Sequence, residues 1–329
     1  MENNNTYLLT VEDLKLYFYG ADKVSRVLNG ISYGVKRGET VCLVGESGCG
    51  KTVSALTIMG LIPQPPGKVM DGKVIFRGTN LLLIDEAEMQ KIRGKSIGMV
   101  FQEPMTSLNP VLTIGDQIGE TVMLHEQVDR HHALNKSVEL VREVGIPSPE
   151  KIVDQYPHQL SGGQRQRIMI SLALACNPEL VIADEPTTAL DVTIQAQILE
   201  LFNELQQKRH MSLIYISHDL GVVASIADRI YIMYSGLIVE QGFTKDLLYN
   251  SRHPYTRGLL ASLPDRSKRG TPIHSIPGTV PDPSRIISGC PFHPRCTYSI
   301  DDCRKVFPEL CDYGTEHLSR CPVLFAQEK

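Results

Sequence analysis

Gly45-Glu46-Ser47-Gly48-Cys49-Gly50-Lys51-Thr52 has the spacing G-x-x-x-x-G-K-S/T. It follows Thr40-Val41-Cys42-Leu43-Val44, an almost continuously apolar run of the kind that forms a strand buried on both faces. Val53 to Leu61, on its other side, reads as a helix. Strand, glycine-rich loop and helix are the setting that a phosphate-binding loop requires. The glycines let backbone N–H groups approach phosphate oxygens, and a helix starting near Lys51 turns its positive dipole end toward the same anions. Lys51 is spaced to reach the β- and γ-phosphates, and the Thr52 hydroxyl to complete a Mg2+ shell. Such a match arises by chance in roughly one chain of this length in a hundred, so the rest of the sequence decides its meaning.

With 329 residues the chain has room for one large or two modest domains and an ample core. Its net charge of −4 lacks the basic footprint of a nucleic-acid binder. No run reaches the 18 apolar residues of a membrane span. The Met-Glu-Asn-Asn-Asn start lacks the basic and apolar regions of a signal peptide, so the chain is expected to stay on the cytosolic side.

Residues 6–44 read as strands, Tyr7 to Leu14, Leu16 to Tyr19 and Gly30 to Val35 preceding the Thr40 run, with Gly20 and Arg37-Gly38 as turns. Between about 104 and 175 helical spacing takes over, as in Ile114 to Glu126 and Ala133 to Val144. From Leu180 strands and helices alternate again: Leu180 to Ala183, Ile194 to Lys208, Leu213 to Ile216 and Leu220 to Ala227. That pattern predicts an α/β fold with a largely parallel sheet, a helical insert and an irregular tail. The division expected is residues 1–264 as a nucleotide-binding domain and 265–329 as a C-terminal extension.

Leu180-Val181-Ile182-Ala183-Asp184-Glu185 ends an apolar strand on two carboxylates, at the edge where open α/β sheets bind ligands. Asp184 suits a Mg2+ partner, and Glu185 suits the base that orients and deprotonates an attacking water. Alone, Asp-Glu at a strand end is an ordinary solvated turn; the upstream loop gives it significance. Ser161-Gly162-Gly163 opens a predicted helix from Gln164 to Ala175, whose first N–H groups suit a phosphate.

Together with Gln102, Asp191 and His218, in that order, these motifs resemble the nucleotide-binding subunit of an ABC transporter over residues of about 7 to 245. The resemblance implies a P-loop ATPase core with an antiparallel β subdomain and an inserted helical subdomain, acting on ATP with Mg2+. It makes Gly45, Ser47, Gly48, Cys49, Gly50, Lys51 and Thr52 the phosphate cradle and Gln102 a Q-loop residue sharing the Mg2+. Leu160-Ser161-Gly162-Gly163-Gln164 becomes the signature motif, Asp191 the D-loop aspartate and His218 the switch histidine at the γ-phosphate. In that family the signature faces ATP held by another subunit, so two subunits sandwich two nucleotides. The adenine-stacking aromatic, counted from Val11 and Leu14, falls at Phe18, with Tyr17 and Tyr19 beside it.

Phe101 to Pro110, Ala183 to Thr193, His253-Pro254-Tyr255-Thr256 and Gly289 to Cys296 are similar to the oligopeptide and dipeptide permease group, with Val53 and Arg93-Gly94 closer to its D-type than its F-type ATPase. The partners so implied are a second ATPase subunit (an F-type paralogue or a second copy), two transmembrane permeases and, indirectly, a peptide-binding protein. The expected location is the cytoplasmic face of the membrane. Nickel-chelate importers share these motifs. A different class, cytosolic ABC ATPases acting on ribosomes or DNA, would fit tandem ATPase units or a basic surface, neither of which this sequence has. Pro104 and Pro110 argue against a regular helix between them, and the stretch beside Gln102 reads as a docking surface for a permease helix.

Five of the eight cysteines fall within the last 40 residues. Cys290-x5-Cys296-x6-Cys303-x17-Cys321 supplies four thiols in 32 residues of loop-forming sequence, where a metal centre would provide missing cross-links. A zinc site, the alternative, normally shows short paired spacings; the longer spacing suits a 4Fe–4S cluster, which the resemblance to peptide-importer ATPases also implies. Arg295, Arg304, Lys305 and Arg320 lie beside these thiols, where their charge would offset a negative cluster. Cys311 falls outside the frame, as a substitute for Cys303 or Cys321.

Overall fold

The computed structural model describes residues 7–188, 190–263 and 275–327. Strands β1 (Tyr7–Tyr19), β2 (Val24–Lys36) and β3 (Thr40–Val44) lead through the glycine loop into helix α1 (Lys51–Ile58). A hairpin of β4 (Gly67–Phe76) and β5 (Thr79–Asn80) follows, then α2 (Glu86–Ile92) and β6 (Ile97–Val100). Five helices come next: α3 (Pro104–Ser107), α4 (Ile114–Glu126), α5 (Arg130–Glu143), α6 (Pro149–Ile152) and α7 (Gly162–Ala173). Alternation resumes with β7 (Leu180–Asp184), α8 (Val192–Arg209), β8 (Ser212–Ser217), α9 (Leu220–Ile226), β9 (Arg229–Tyr234) and β10 (Leu237–Phe243). After α10 (Thr244–Tyr249) and α11 (Pro254–Ala261), the tail adds β11 (Cys311–Asp312), β12 (Leu318–Ser319) and α12 (Pro322–Gln327).

Two compact units result, one from residues 1–35, 40–82 and 217–329, the other from 36–39 and 83–216. In the first, β2-β1-β4-β5 make an antiparallel sheet, while β3 pairs in parallel with β9 and the order continues through β10, β12 and β11. The antiparallel β9–β10, β10–β12 and β11–β12 pairs make this second sheet mixed. The tail, expected to be irregular, therefore contributes two strands. They form because Glu240 of β10, with no exposure, accepts hydrogen bonds from the backbone N–H groups of Arg252 (2.5 Å) and His253 (3.0 Å) and pairs with His317 Nε2 at 2.8 Å. That buried polar anchor fixes the segment carrying β12.

The first two expected strands are one. Buried positions along β1 run Leu9, Val11, then Leu14, Leu16, a change of parity that needs one inserted residue. The pairing with β4 shifts between Glu12 and Lys15. Asp13 adopts φ 43° and its N–H donates to Ser32 Oγ at 2.9 Å, which stabilises the bulge.

In the second unit β6, β7 and β8 run parallel. Gly98 lets α7 approach β6: a Cβ there would stand 2.2 Å from the Ala173 carbonyl oxygen. Side-chain caps from Thr113, Asp129, Ser161 and Asp191 start α4, α5, α7 and α8, each satisfying an otherwise orphaned N–H. One expectation was too strict. Pro104 occupies the first turn of α3, where its missing N–H costs nothing, so a single helical turn forms before Pro110.

Candidate functional site

The phosphate loop hangs between β3 and α1. A Cβ on Gly45 would lie 2.2 Å from the Met233 carbonyl oxygen and 2.8 Å from Cys49 Sγ, so only glycine fits there. Gly50, with φ 107°, precedes α1 without a side-chain cap, leaving first-turn N–H groups directed at the loop's mouth. Ser47 and Gly48 are exposed at the tip, while Cys49 and Gly50 are buried. Lys51 is only 4% exposed; its ammonium donates to the carbonyls of Gly45 at 2.7 Å and Glu46 at 3.2 Å. Burial pushes the Cys49 thiol up, against the pull of the Lys51 charge. Thr52 is half-buried on the first turn of α1. Phe18, half-buried, sits opposite Gly67 of β4, whose Cα hydrogen side faces its ring edge. Tyr17 lies under the Arg26 guanidinium, 5.7 Å from the ring centre, and successive strand positions face opposite ways. His218 is exposed in the turn before α9.

The second unit holds the other residues. Asp184 ends β7 with 2% exposure. Glu185 follows with φ 45°, a left-handed conformation uncommon for a side chain of that size. Its N–H donates to Ile216 O at 3.1 Å and its carboxylate accepts from Thr188 Oγ1 at 3.0 Å. Backbone strain of this kind concentrates at functional positions. Gln102 is exposed just beyond β6. Ser161 Oγ accepts from Gln164 N at 3.3 Å while Gln164 Oε1 accepts from Ser161 N at 3.0 Å. This reciprocal capping box commits the Gln164 side chain to its own helix, and S-x-x-Q was its signal in the sequence. The N–H groups of Gly162 and Gly163 begin the helix beside it. Asp191 accepts from Ile194 N at 2.9 Å as the cap of α8.

In the tail, Cys290, Cys296, Cys303 and Cys321 line one cavity of about 300 Å³ together with His253 and Phe292. Cys290 N donates to Cys303 O at 2.8 Å, and a short turn over His293–Arg295 carries the chain to Cys296. β12 delivers Cys321, and Cys311 is not among the lining residues. Burial pushes the Cys290 and Cys296 thiols up to about 11, with the neighbouring thiols adding to the effect. Among the described residues no three His, Cys, Asp or Glu side chains gather closely enough for a single metal ion. Arg320 lines the cavity, but Arg295 does not: its guanidinium turns to Glu46 of the phosphate loop, 2.6 Å and 3.0 Å across two parallel bonds. Glu46 N in turn donates to the Tyr255 hydroxyl at 2.9 Å.

A phosphate loop ahead of a strand-end Asp-Glu pair, on an α/β frame with a helical insert, defines an ATP-binding cassette, and residues 28–188 match the ABC transporter family. Solved cassettes agree: a dimeric ATP-binding cassette in a post-hydrolysis state, bound to ADP and Pi, superposes with a TM-score of 0.65 at 26% identity over 72% of this chain and 98% of that one. CbiO1 from Clostridium perfringens, part of the cbiONQ ABC transporter complex, gives 0.63 at 26% identity over 74% and 92%. Residues 239–303 match the C-terminal region of oligopeptide/dipeptide transporters. A probable peptide ABC transporter ATP-binding protein of Sinorhizobium fredii is 50% identical over 95% of this chain and 94% of its own. Dipeptide transport ATP-binding protein DppD of Bacillus subtilis is 46% identical over 95% and 94%, and its oligopeptide counterpart OppD 51% over 90% and 83%. The chain belongs to the ATP-binding subunits of the oligopeptide/dipeptide ABC transporter family.

Proposed function

We propose that this chain binds and hydrolyses ATP to power import of di- or oligopeptides through a membrane permease. The observation that carries this reading is the presence, on one chain, of a phosphate loop and a C-terminal region of the oligopeptide/dipeptide type. The chain is matched nearly end to end by relatives named for peptide transport. Residues 45–52 cradle the phosphates, and Lys51 exchanges its loop carbonyls for β- and γ-phosphate oxygens. Phe18 stacks on the adenine. Thr52, Gln102 and Asp184 each carry the hard oxygen donor that Mg2+ prefers and would hold the ion, which would supply charge to neutralise the phosphates. Glu185 orients the attacking water and accepts its proton, and His218 contacts the γ-phosphate.

Ser161, Gly162, Gly163 and Gln164, with Asp191, serve the nucleotide of a second ATPase subunit, an F-type paralogue or another copy. Gln164 does so by holding Ser161 in place. The subunit works at the cytoplasmic face of two permease subunits fed by a peptide-binding protein. Among the described residues no helix is long and apolar enough to cross a membrane. Residues 1–264 form the engine and 265–329 the extension. Co-purification with tagged permease, and ATPase activity that rises when the partner is added, are the expected results; a chain with no ATPase activity in the assembled complex refutes the reading.

The extension, in this reading, holds a 4Fe–4S cluster on Cys290, Cys296, Cys303 and Cys321. Four thiols lining one cavity suit a cluster, whereas zinc requires four sulfurs about 2.3 Å from one point. The buried thiols favour their neutral form, so a cationic centre is what would hold them as thiolates. Such a cluster would cross-link segments that lack a large core. Anaerobically purified protein is expected to be brown with about four irons per chain; colourless protein with one zinc, or Cys296→Ser retaining full iron, refutes it.

A further inference from the structure

We propose that Arg295 is a positioning residue of the phosphate loop, through which the cysteine-bearing tail sets the affinity of the nucleotide site. The proposal rests on the reading of residues 45–52 as that site. Arg295 is 5% exposed at its side chain, and each of its three nitrogens donates a hydrogen bond. Nε donates to Pro277 O at 2.8 Å, Nη2 approaches Ile276 O at 3.4 Å and Gly278 O at 3.3 Å, and the two Nη groups grip the Glu46 carboxylate. The guanidinium also stands 5.8 Å from the centre of the Tyr234 ring. A forked, charge-assisted contact of this kind fixes orientation as well as distance, and burial protects it from salt.

The target of the fork is what gives it a role in the site. Glu46 is held on three sides: its carboxylate by Arg295, its N–H by Tyr255, and its carbonyl by the Lys51 ammonium. A change in the Arg295 contact therefore moves the carbonyl that places Lys51 and the peptide leading into Ser47. On the other side, Arg295 ends the short turn that enters Cys296. Phe292, at the head of that turn, packs its ring against Tyr234 (5.2 Å), Tyr255 (5.4 Å) and His253 (5.7 Å). The turn cannot shift without carrying the guanidinium along.

The test uses the full chain and a fluorescent ATP analogue with Mg2+. Arg295→Ala and Glu46→Gln are each expected to raise Kd roughly fivefold to tenfold, and the double variant no more than the worse single one, as contacting residues couple. Arg295→Lys should fall between, because a point charge cannot reproduce the fork. Melting temperature should fall, because removing one partner of a buried pair is destabilising, while the number of reactive tail thiols stays at its wild-type value. Wild-type affinity in Arg295→Ala, or additive effects in the double variant, overturns the proposal. If Arg295→Ala does not fold, Arg295→Lys decides, and its wild-type Kd would overturn the proposal equally. Lys51→Ala run in parallel separates the two levels. If it alone loses nucleotide, only the role of Arg295 falls; if it too binds normally, the nucleotide-site reading falls.

Discussion

Adding one methyl group to the phosphate loop at Gly45 should disable it. In Gly45→Ala the new Cβ begins 2.2 Å from the Met233 carbonyl oxygen and 2.8 Å from Cys49 Sγ. Relief to an ordinary contact requires about 1 Å of movement. Met233 is fully buried in β9, between β3 and β10 and paired with Ile238, so the strand resists displacement. The loop must therefore lift, carrying with it the Gly45 and Glu46 carbonyls that hold Lys51. Forced overpacking of this kind costs about 1–3 kcal/mol, and misplacing reacting groups by about 1 Å costs on the order of a hundredfold in rate. The assays are thermal unfolding, titration with a fluorescent ATP analogue, and steady-state phosphate release by the assembled transporter. Gly119→Ala, within α4, is the control: its Cβ would come no nearer to the facing helix than 3.6 Å, at the Ala133 Cβ of α5, and replacing a helical glycine should stabilise by about 0.5–1 kcal/mol. Wild-type melting and nucleotide affinity in Gly45→Ala would refute the steric reasoning.

Glu185→Gln keeps the shape and the Thr188 contact but removes the base, so turnover should fall about a hundredfold or more while ATP binding persists and traps a closed dimer; near-normal phosphate release contradicts the assignment. If Ser161 serves a neighbour's nucleotide, as proposed, activity per subunit should fall on dilution of the isolated chain; a rate flat across dilution with a monomeric mass in ATP argues against a shared site. Burial raises the Glu143 carboxyl, but hydrogen bonds from Arg209 and Lys208 outweigh it and leave it below its usual range. The stability this pair contributes is thus present above the ordinary carboxylate range and lost as pH falls through the depressed value. Glu143→Gln should melt earlier than wild type at pH 7, with the gap closing in acid, and an unchanged gap at low pH would count against the pair.

Residues 40–52 announced their strand, loop and helix start because local physics decides them: an apolar run, glycines and a lysine at fixed spacing. The Asp184-Glu185 strand end and the helical insert were legible for the same reason, as was Ser161-Gly162-Gly163 as a helix start. Their boundaries moved by only one to three residues, since caps such as Asp191 extend helices beyond their apolar stripe. Pattern alone did not reveal that β1 is a single bulged strand, because the bulge depends on Ser32 across the sheet. Nor did it place strands in the tail, which form only against Glu240 of β10. Sequence proximity set Arg295 beside Cys296 as a counter-charge to a cluster. Tertiary structure gave it Glu46 instead, 249 residues away, because a buried guanidinium takes the carboxylate that folding brings within reach, and no local spacing encodes that distance.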